Sequence, residues 1–280
     1  MELIIPLRQI DLPLQIDHLG DLGADFTALH TTITTLAPRP GSDLLRQLSP
    51  QILAVQELVG RALIRLLVLD GSQYTAAAGS RFPLEALSEV AASASIAASQ
   101  LARAVGSNPL DGAGVDSGPP DDVEPIRQDR HAEAAPVLVK SLAAAAQHLD
   151  LSATGCLSTA TAITLHLKEH PEHGPQVPQL TKSQYAALAR IAQGGTQRHN
   201  RISGPVRVQD GSGRTIHPAP LQVLQKYRLI RAARTTRYTP HDLGVTAAGL
   251  LVLDFQKPDR PQTASPAVAR GPRNAGGRRL

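Results

Sequence analysis

Residues 217–255 read HPAPLQVLQKYRLIRAARTTRYTPHDLGVTAAGLLVLDF, and this stretch decides the fold of the C-terminal part. His217-Pro218-Ala219-Pro220 opens a short helix, because proline is tolerated in a first turn whose N–H groups have no helical partner. Leu221, Leu224 and Tyr227 recur at steps of three and turn inward. Gln222, Gln225 and Lys226 then share the outer face at i, i+3 and i+4. Leu229-Ile230-Arg231-Ala232 reads as a strand, 233–241 (ARTTRYTPH) as a basic loop, and Asp242–Val245 as a returning strand. Thr246 caps a last helix, Ala247–Phe255, with Val245 placed to staple onto Leu250.

Upstream, Leu180-Thr181-Lys182-Ser183-Gln184-Tyr185 is a complete helix-start signal. Thr181 caps, Gln184 is its reciprocal partner three residues on, and Leu180 can staple onto Tyr185. Tyr185, Leu188, Ala189 and Ala192 form the expected inner stripe, and Gly194-Gly195 stops the helix. Val206-Arg207-Val208 and Arg214-Thr215-Ile216 flank Asp210-Gly211-Ser212-Gly213, the pattern of a short β-hairpin.

Helix, short helix ending in Leu-Ile, strand, basic loop, strand and a helix after Val-Thr-Ala-Ala-Gly resembles the winged helix-turn-helix domain of bacterial regulators. The resemblance covers about residues 180–255. It lies in Leu180-Thr-Lys-Ser-Gln-Tyr-Ala-Ala-Leu, Leu224-Gln-Lys-Tyr-Arg-Leu-Ile and Val245-Thr-Ala-Ala-Gly-Leu. It departs from the family between Gly195 and Thr215, where loop and hairpin stand in place of a second short helix. The resemblance implies transcription regulation through double-stranded DNA, with the helix of Gln222, Gln225 and Lys226 in the major groove. Glutamine can pair there bidentately with adenine. Arg228, Arg231, Arg234 and Arg237 are expected around the wing, against phosphates or the minor groove. Arg207 and Arg214, with Arg198 and Arg201, add positive potential nearby. Symmetric operators usually bind dimers, so a homodimer is expected.

The charge distribution points the same way. The net +4 of 280 residues divides into −9 for residues 1–180 and +13 for 181–280. Arginine outnumbers lysine, 23 to 5, which suits nucleic-acid contact and equally fits a GC-rich coding sequence. Three Phe, four Tyr and no Trp leave Ala, Leu, Ile and Val to fill the core. That favours helices, and it argues against single-strand binding by aromatic stacking. A solvated basic surface and a winged helix that binds another protein are the competing readings of the same residues.

The acidic part reads as a helical bundle. Ile16, Leu19, Leu22, Phe26, Leu29 and Ile33 mark a first helix over Asp17–Leu36, ended by Pro38 and Pro40. Ser49-Pro50 reads as the start of a second, Gln51–Leu69, closed by Asp70-Gly71; its broad apolar surface suggests the central helix. A third runs from about Leu84 to Val105, with Gly106 as its C-cap. Residues 106–130 carry Gly, Pro, Ser and Asp without an apolar period, as a flexible linker or loop would. Ala132–Leu149 and Ala153–Lys168 follow as a helical hairpin within 131–175, with Pro136 in or near a first turn. The tail 256–280 is basic and expected to be disordered. The fold class is therefore mostly α: an N-terminal helical bundle, 1–105 with 131–175, plus a small α+β domain over 176–255.

Catalytic chemistry is not visible. His166-x-x-x-His170-x-x-His173 lacks the glutamate of a zinc-protease helix, and Pro171 ends the helix before the third histidine. A solvated helix end is expected there, and no metal or cofactor site. Gly211-Ser-Gly-Arg-Thr215 fails the phosphate-loop pattern, since its lysine position is Arg214. Asp121-Asp122 sits in a loop-like stretch that cannot hold carboxylates in catalytic geometry. The single cysteine, Cys156, reads as a buried packing residue and excludes an intrachain disulfide. The N-terminus lacks the features of a signal peptide, and no apolar run reaches membrane-spanning length, so a non-enzymatic cytoplasmic protein is expected.

Overall fold

The computed structural model describes residues 7–109, 120–199, 207–232 and 241–256, and among them the chain is mostly helical. The first core belongs to four helices. α1 (Leu12–Thr35) is capped by Asp11, whose Oδ1 accepts from the Leu14 amide at 3.0 Å. It buries the expected Leu19, Leu22, Phe26, Leu29 and Ile33.

α2 (Ser42–Asp70) begins seven residues before the Ser49-Pro50 signal, and Pro50 lies inside it. Two features carry the helix through. Leu44 and Leu48 extend the buried stripe upstream of the proline. Gly41, in a left-handed region at φ 130°, is clamped by Asn108, whose side chain accepts from its amide and donates to its carbonyl, both at 2.8 Å. Long-range polar contacts of this kind leave no local signature.

α3 (Arg81–Ser107) absorbs Gly106 and is capped by Asn108. α4 (Pro120–Glu169) replaces the expected linker end and helical hairpin by one helix of 50 residues, with Pro125 and Pro136 inside. Residues 110–119 of the expected linker lie outside the described residues. The break expected near Asp150 does not occur, because Ser152 is absorbed by packing. Its hydroxyl donates to the His148 carbonyl (2.8 Å) in its own helix and to the Val90 carbonyl (3.3 Å) in α3.

The helix in the middle is therefore α4, not α2: it packs along both α1 and α3, burying Leu138, Ala145, Leu149, Cys156, Ile163 and Leu167 completely. Gly155 allows the α3 approach, since a Cβ there would lie 2.4 Å from Val90 Cγ2. Burial also raises the Cys156 thiol to about 12, which keeps it a neutral packing group.

The second core lies in the C-terminal part, in the order α5 (Lys182–Ala192), β1 (Thr196–His199), β2 (Arg207–Gln209), β3 (Thr215–Ile216), α6 (Pro218–Lys226), β4 (Ile230–Ala232), β5 (His241–Val245), α7 (Ala247–Phe255). The strands form one antiparallel sheet, β3-β2-β1-β5-β4, with Arg198 opposite Val208 on one side and His241 on the other. Leu188, Ile191, Leu221, Leu224, Leu229 and Leu243 fill the space between sheet and helices. The capping box of α5 is present: the Gln184 amide donates to Thr181 Oγ1 (3.3 Å), and the Thr181 amide to Gln184 Oε1 (2.9 Å). Its buried stripe is Ala187, Leu188 and Ile191, one step round from the expected one, with Ala192 exposed.

α7 joins the two cores. Leu251 enters the bundle core while Val252, the next residue, enters the sheet core. Leu250 is 52% exposed, so the expected staple is not made; Val245 lies against Gly249 instead. Across the junction, the Ala247 amide donates to Asp17 Oδ1 (2.9 Å), Arg231 pairs with Asp21 (2.7 Å), and Lys168 with Asp254 (2.7 Å).

Candidate functional site

α6 carries the outer face that the sequence singled out. His217 caps it, its ring nitrogen accepting from the Ala219 amide at 3.3 Å. Leu221 and Leu224 are buried, while Gln222, Gln225 and Lys226 are exposed side by side. The Lys226 ammonium rests 5.5 Å from the centre of the Tyr227 ring, an arrangement that orients it without neutralising it.

The C-terminal end of α6 is built tightly. Arg228 takes a left-handed conformation, φ 53°. Its amide donates to the Gln225 carbonyl (3.0 Å) and the Leu229 amide to the Leu224 carbonyl (2.8 Å), the paired bonds of a Schellman cap. Leu224 and Leu229 are both fully buried, which supplies the apolar contact of that cap. This geometry sets the angle between α6 and β4.

The β2–β3 hairpin lies between β1 and α6. Asp210 organises its turn: Oδ1 accepts from the Ser212 amide and hydroxyl (3.0 and 2.7 Å) and the Arg214 amide (2.8 Å). Its other oxygen takes Arg190 Nε and Nη2 (2.8 and 2.5 Å), tying the hairpin to α5. Hydrogen bonds from Ser212 and then Arg190 hold the Asp210 carboxyl well below the usual carboxylate range. The Arg214 and Arg207 side chains remain exposed on this hairpin.

The nine residues singled out thus fall into separate groups. Gln222, Gln225 and Lys226 share one helix face, and Arg207 and Arg214 share the hairpin. Arg231 is turned to the bundle, where its pairing with Asp21 occupies it. Arg228 borders a cavity of about 310 Å³ at the same junction, with Asp17, His173 and Tyr227. Arg234 and Arg237 lie outside the described residues. The strand Thr196–His199 has no signal in the sequence, since Thr-Gln-Arg-His shows no apolar alternation. That central strand carries Arg198, whose Nε is buried without a hydrogen-bond partner among the described residues. An unpaired buried donor of this kind is costly.

The three histidines at the end of α4 are not a simple solvated end. His166 is 9% exposed, edge-on to Tyr74, with its Nε2 3.2 Å from His173 Nδ1. Burial first, then His170 and His173, lower its pKa. Among the described residues no group of three or more His, Cys, Asp or Glu is arranged to hold a metal ion, and no helix is long and apolar enough to cross a membrane.

No protein-family model matches the chain, and neither a curated protein nor a solved structure is significantly similar to it.

Proposed function

We propose that this chain binds double-stranded DNA through its basic C-terminal module, which acts as a winged helix in transcriptional regulation, while the helical bundle supplies dimerisation or partner contact. The observation that carries the reading is the face of α6. A short helix fixed at both ends presents two glutamines and a lysine to solvent, none of them in an ion pair or side-chain hydrogen bond among the described residues. The strand order β4-β5-β1 supports the resemblance. The charge of residues 181–280, +13, supplies the electrostatic attraction.

Within this reading, Gln222 and Gln225 read base edges, while Lys226, Arg207 and Arg214 meet phosphates. Arg198, half-buried on the central strand β1, adds positive potential nearby. Arg231 holds the module on the bundle and is not assigned to DNA.

The test is fluorescence anisotropy of the full chain on a library of genomic duplex fragments across a salt series. Binding should weaken steeply with salt. Replacing both Arg207 and Arg214 with Ala should reduce the logarithmic salt slope by about one for each phosphate that is no longer neutralised. Replacing Gln222 and Gln225 should flatten the preference among sequences more than it lowers bulk affinity. Absence of binding at low salt would end the DNA reading and leave protein interaction as the module's role.

A further inference from the structure

The outer face of α2 carries an apolar surface that neither core explains. Its inner side is buried through Leu44, Leu48, Val55, Leu58, Ala62 and Leu69. On the opposite side Leu53, Leu63, Ile64 and Leu67 are 67, 50, 51 and 74% exposed. On a helical wheel these four fall on one stripe, with only Gln56 and Gly60 between them and no charge. Single exposed leucines are ordinary, but a contiguous apolar stripe on a helix that already has a buried face marks an interaction site.

Gly60 is the second observation. It lies within a 29-residue helix, and a Cβ there would meet nothing within 4 Å. No contact among the described residues requires glycine here, although glycine weakens a helix interior relative to alanine.

We infer that this face docks a second copy of the chain, α2 against α2, antiparallel about a two-fold axis at Gly60. The inference deepens the dimer half of the proposed function by naming its surface. Three features select a second copy. Leu53 and Leu67 are equally spaced on either side of Gly60, so the stripe meets itself when reversed: each copy's Leu53 opposes the other's Leu67. The missing side chain at Gly60 lets the two helices cross closely at the axis. The flank is self-complementary in charge, since Glu57 and Arg61 lie one turn apart on the same edge of the stripe. Antiparallel pairing brings that edge of one copy against the same edge of the other, with Glu57 of each near Arg61 of its partner; parallel pairing would carry the two edges apart. Glu57 has no ion pair of its own among the described residues, and Arg61 uses only Nη1, on Asp25 at 2.6 Å.

Sedimentation velocity of the full chain without DNA tests this independently of any DNA activity. The expected mass is twice the 29.6 kDa of one chain. Leu53→Glu and Leu67→Glu, both on the outside, should give the single-chain mass with an unchanged helical circular-dichroism spectrum. Gly60→Cys should cross-link to a covalent dimer under mild oxidation, whereas Ser99→Cys, exposed on α3, should not; the native Cys156 is buried. A wild-type chain that sediments as a monomer at high micromolar concentration overturns the inference. So does a dimer that survives both glutamate substitutions and fails to cross-link through Gly60→Cys.

Discussion

Gly249 shows how a short motif acquires a physical cause. A Cβ at this position would lie 2.3 Å from the Leu229 carbonyl oxygen and 2.5 Å from Val245 Cγ1. The obstacle is mainly backbone, because Leu229 also accepts the Thr246 amide at 3.0 Å and so cannot move freely. Thr246 meanwhile caps α7 by accepting from the Gly249 amide at 3.2 Å and donates its own proton to the Arg228 carbonyl at 2.7 Å. Val-Thr-Ala-Ala-Gly is therefore a joint between α6, β4 and α7, and Gly249→Ala should cost about 1–3 kcal/mol in urea unfolding, the range for forced overpacking. Asp210 gives a second prediction at this scale. Its folded-state pKa is depressed by Ser212 and Arg190, so the stability it contributes is present above the ordinary aspartate pKa of about 4 and is lost as pH falls below that. Asp210→Asn should lower the melting temperature at pH 7, and the gap from the wild type should close on acidification. A gap that stays constant with pH would show that geometry alone, not charge, holds the hairpin.

Among the elements, α2 and α4 show where local signals yield to packing. Ser49-Pro50 is a sound N-terminal signal, yet apolar contacts at Leu44 and Leu48 and the Asn108–Gly41 clamp start α2 at Ser42. An interior proline lacks the N–H that would bond the carbonyl four residues back. Pro50→Ala should therefore stabilise the chain by about 1–3 kcal/mol; a helix beginning at Pro50 would gain nothing, and thermal denaturation distinguishes the two. α4 makes the same point at greater length: its apolar sides meet both α1 and α3, so one helix runs through positions whose local pattern suggested a break. The α6–α7 region was legible because its caps, turns and inward positions are all local, as Thr246, His217 and Leu224 show. β1 was not, because what places Thr196–His199 in a sheet is two partner strands distant in the chain.

For the whole molecule, the charge division at residue 180 coincides with two hydrophobic cores, but these are not independent beads. α7 places Leu251 in one core and Val252 in the other, and the acidic α1 receives Arg231 and the Ala247 amide. Burial raises the Asp17 carboxyl while the Ala247 amide draws it back. The acidic bundle thus occupies part of the basic module's charge, through Arg231. Leu251→Ala, a truncation of a fully docked side chain, should cost about 2–5 kcal/mol. It should also separate the unfolding of the bundle from that of the sheet in hydrogen exchange; a single undivided transition would mean that the polar contacts alone couple them.

The residues themselves determined helix content, the capped helices of the basic module, its hairpin turn and the outward face of α6, because each depends on neighbours a few positions away. Only the tertiary structure decided that α4 is the central helix, that Arg231 belongs to the junction, and that α2 keeps an apolar face outside. Those outcomes depend on which surfaces meet across the chain, and a side chain's partner at long range is set by packing rather than by its own local pattern.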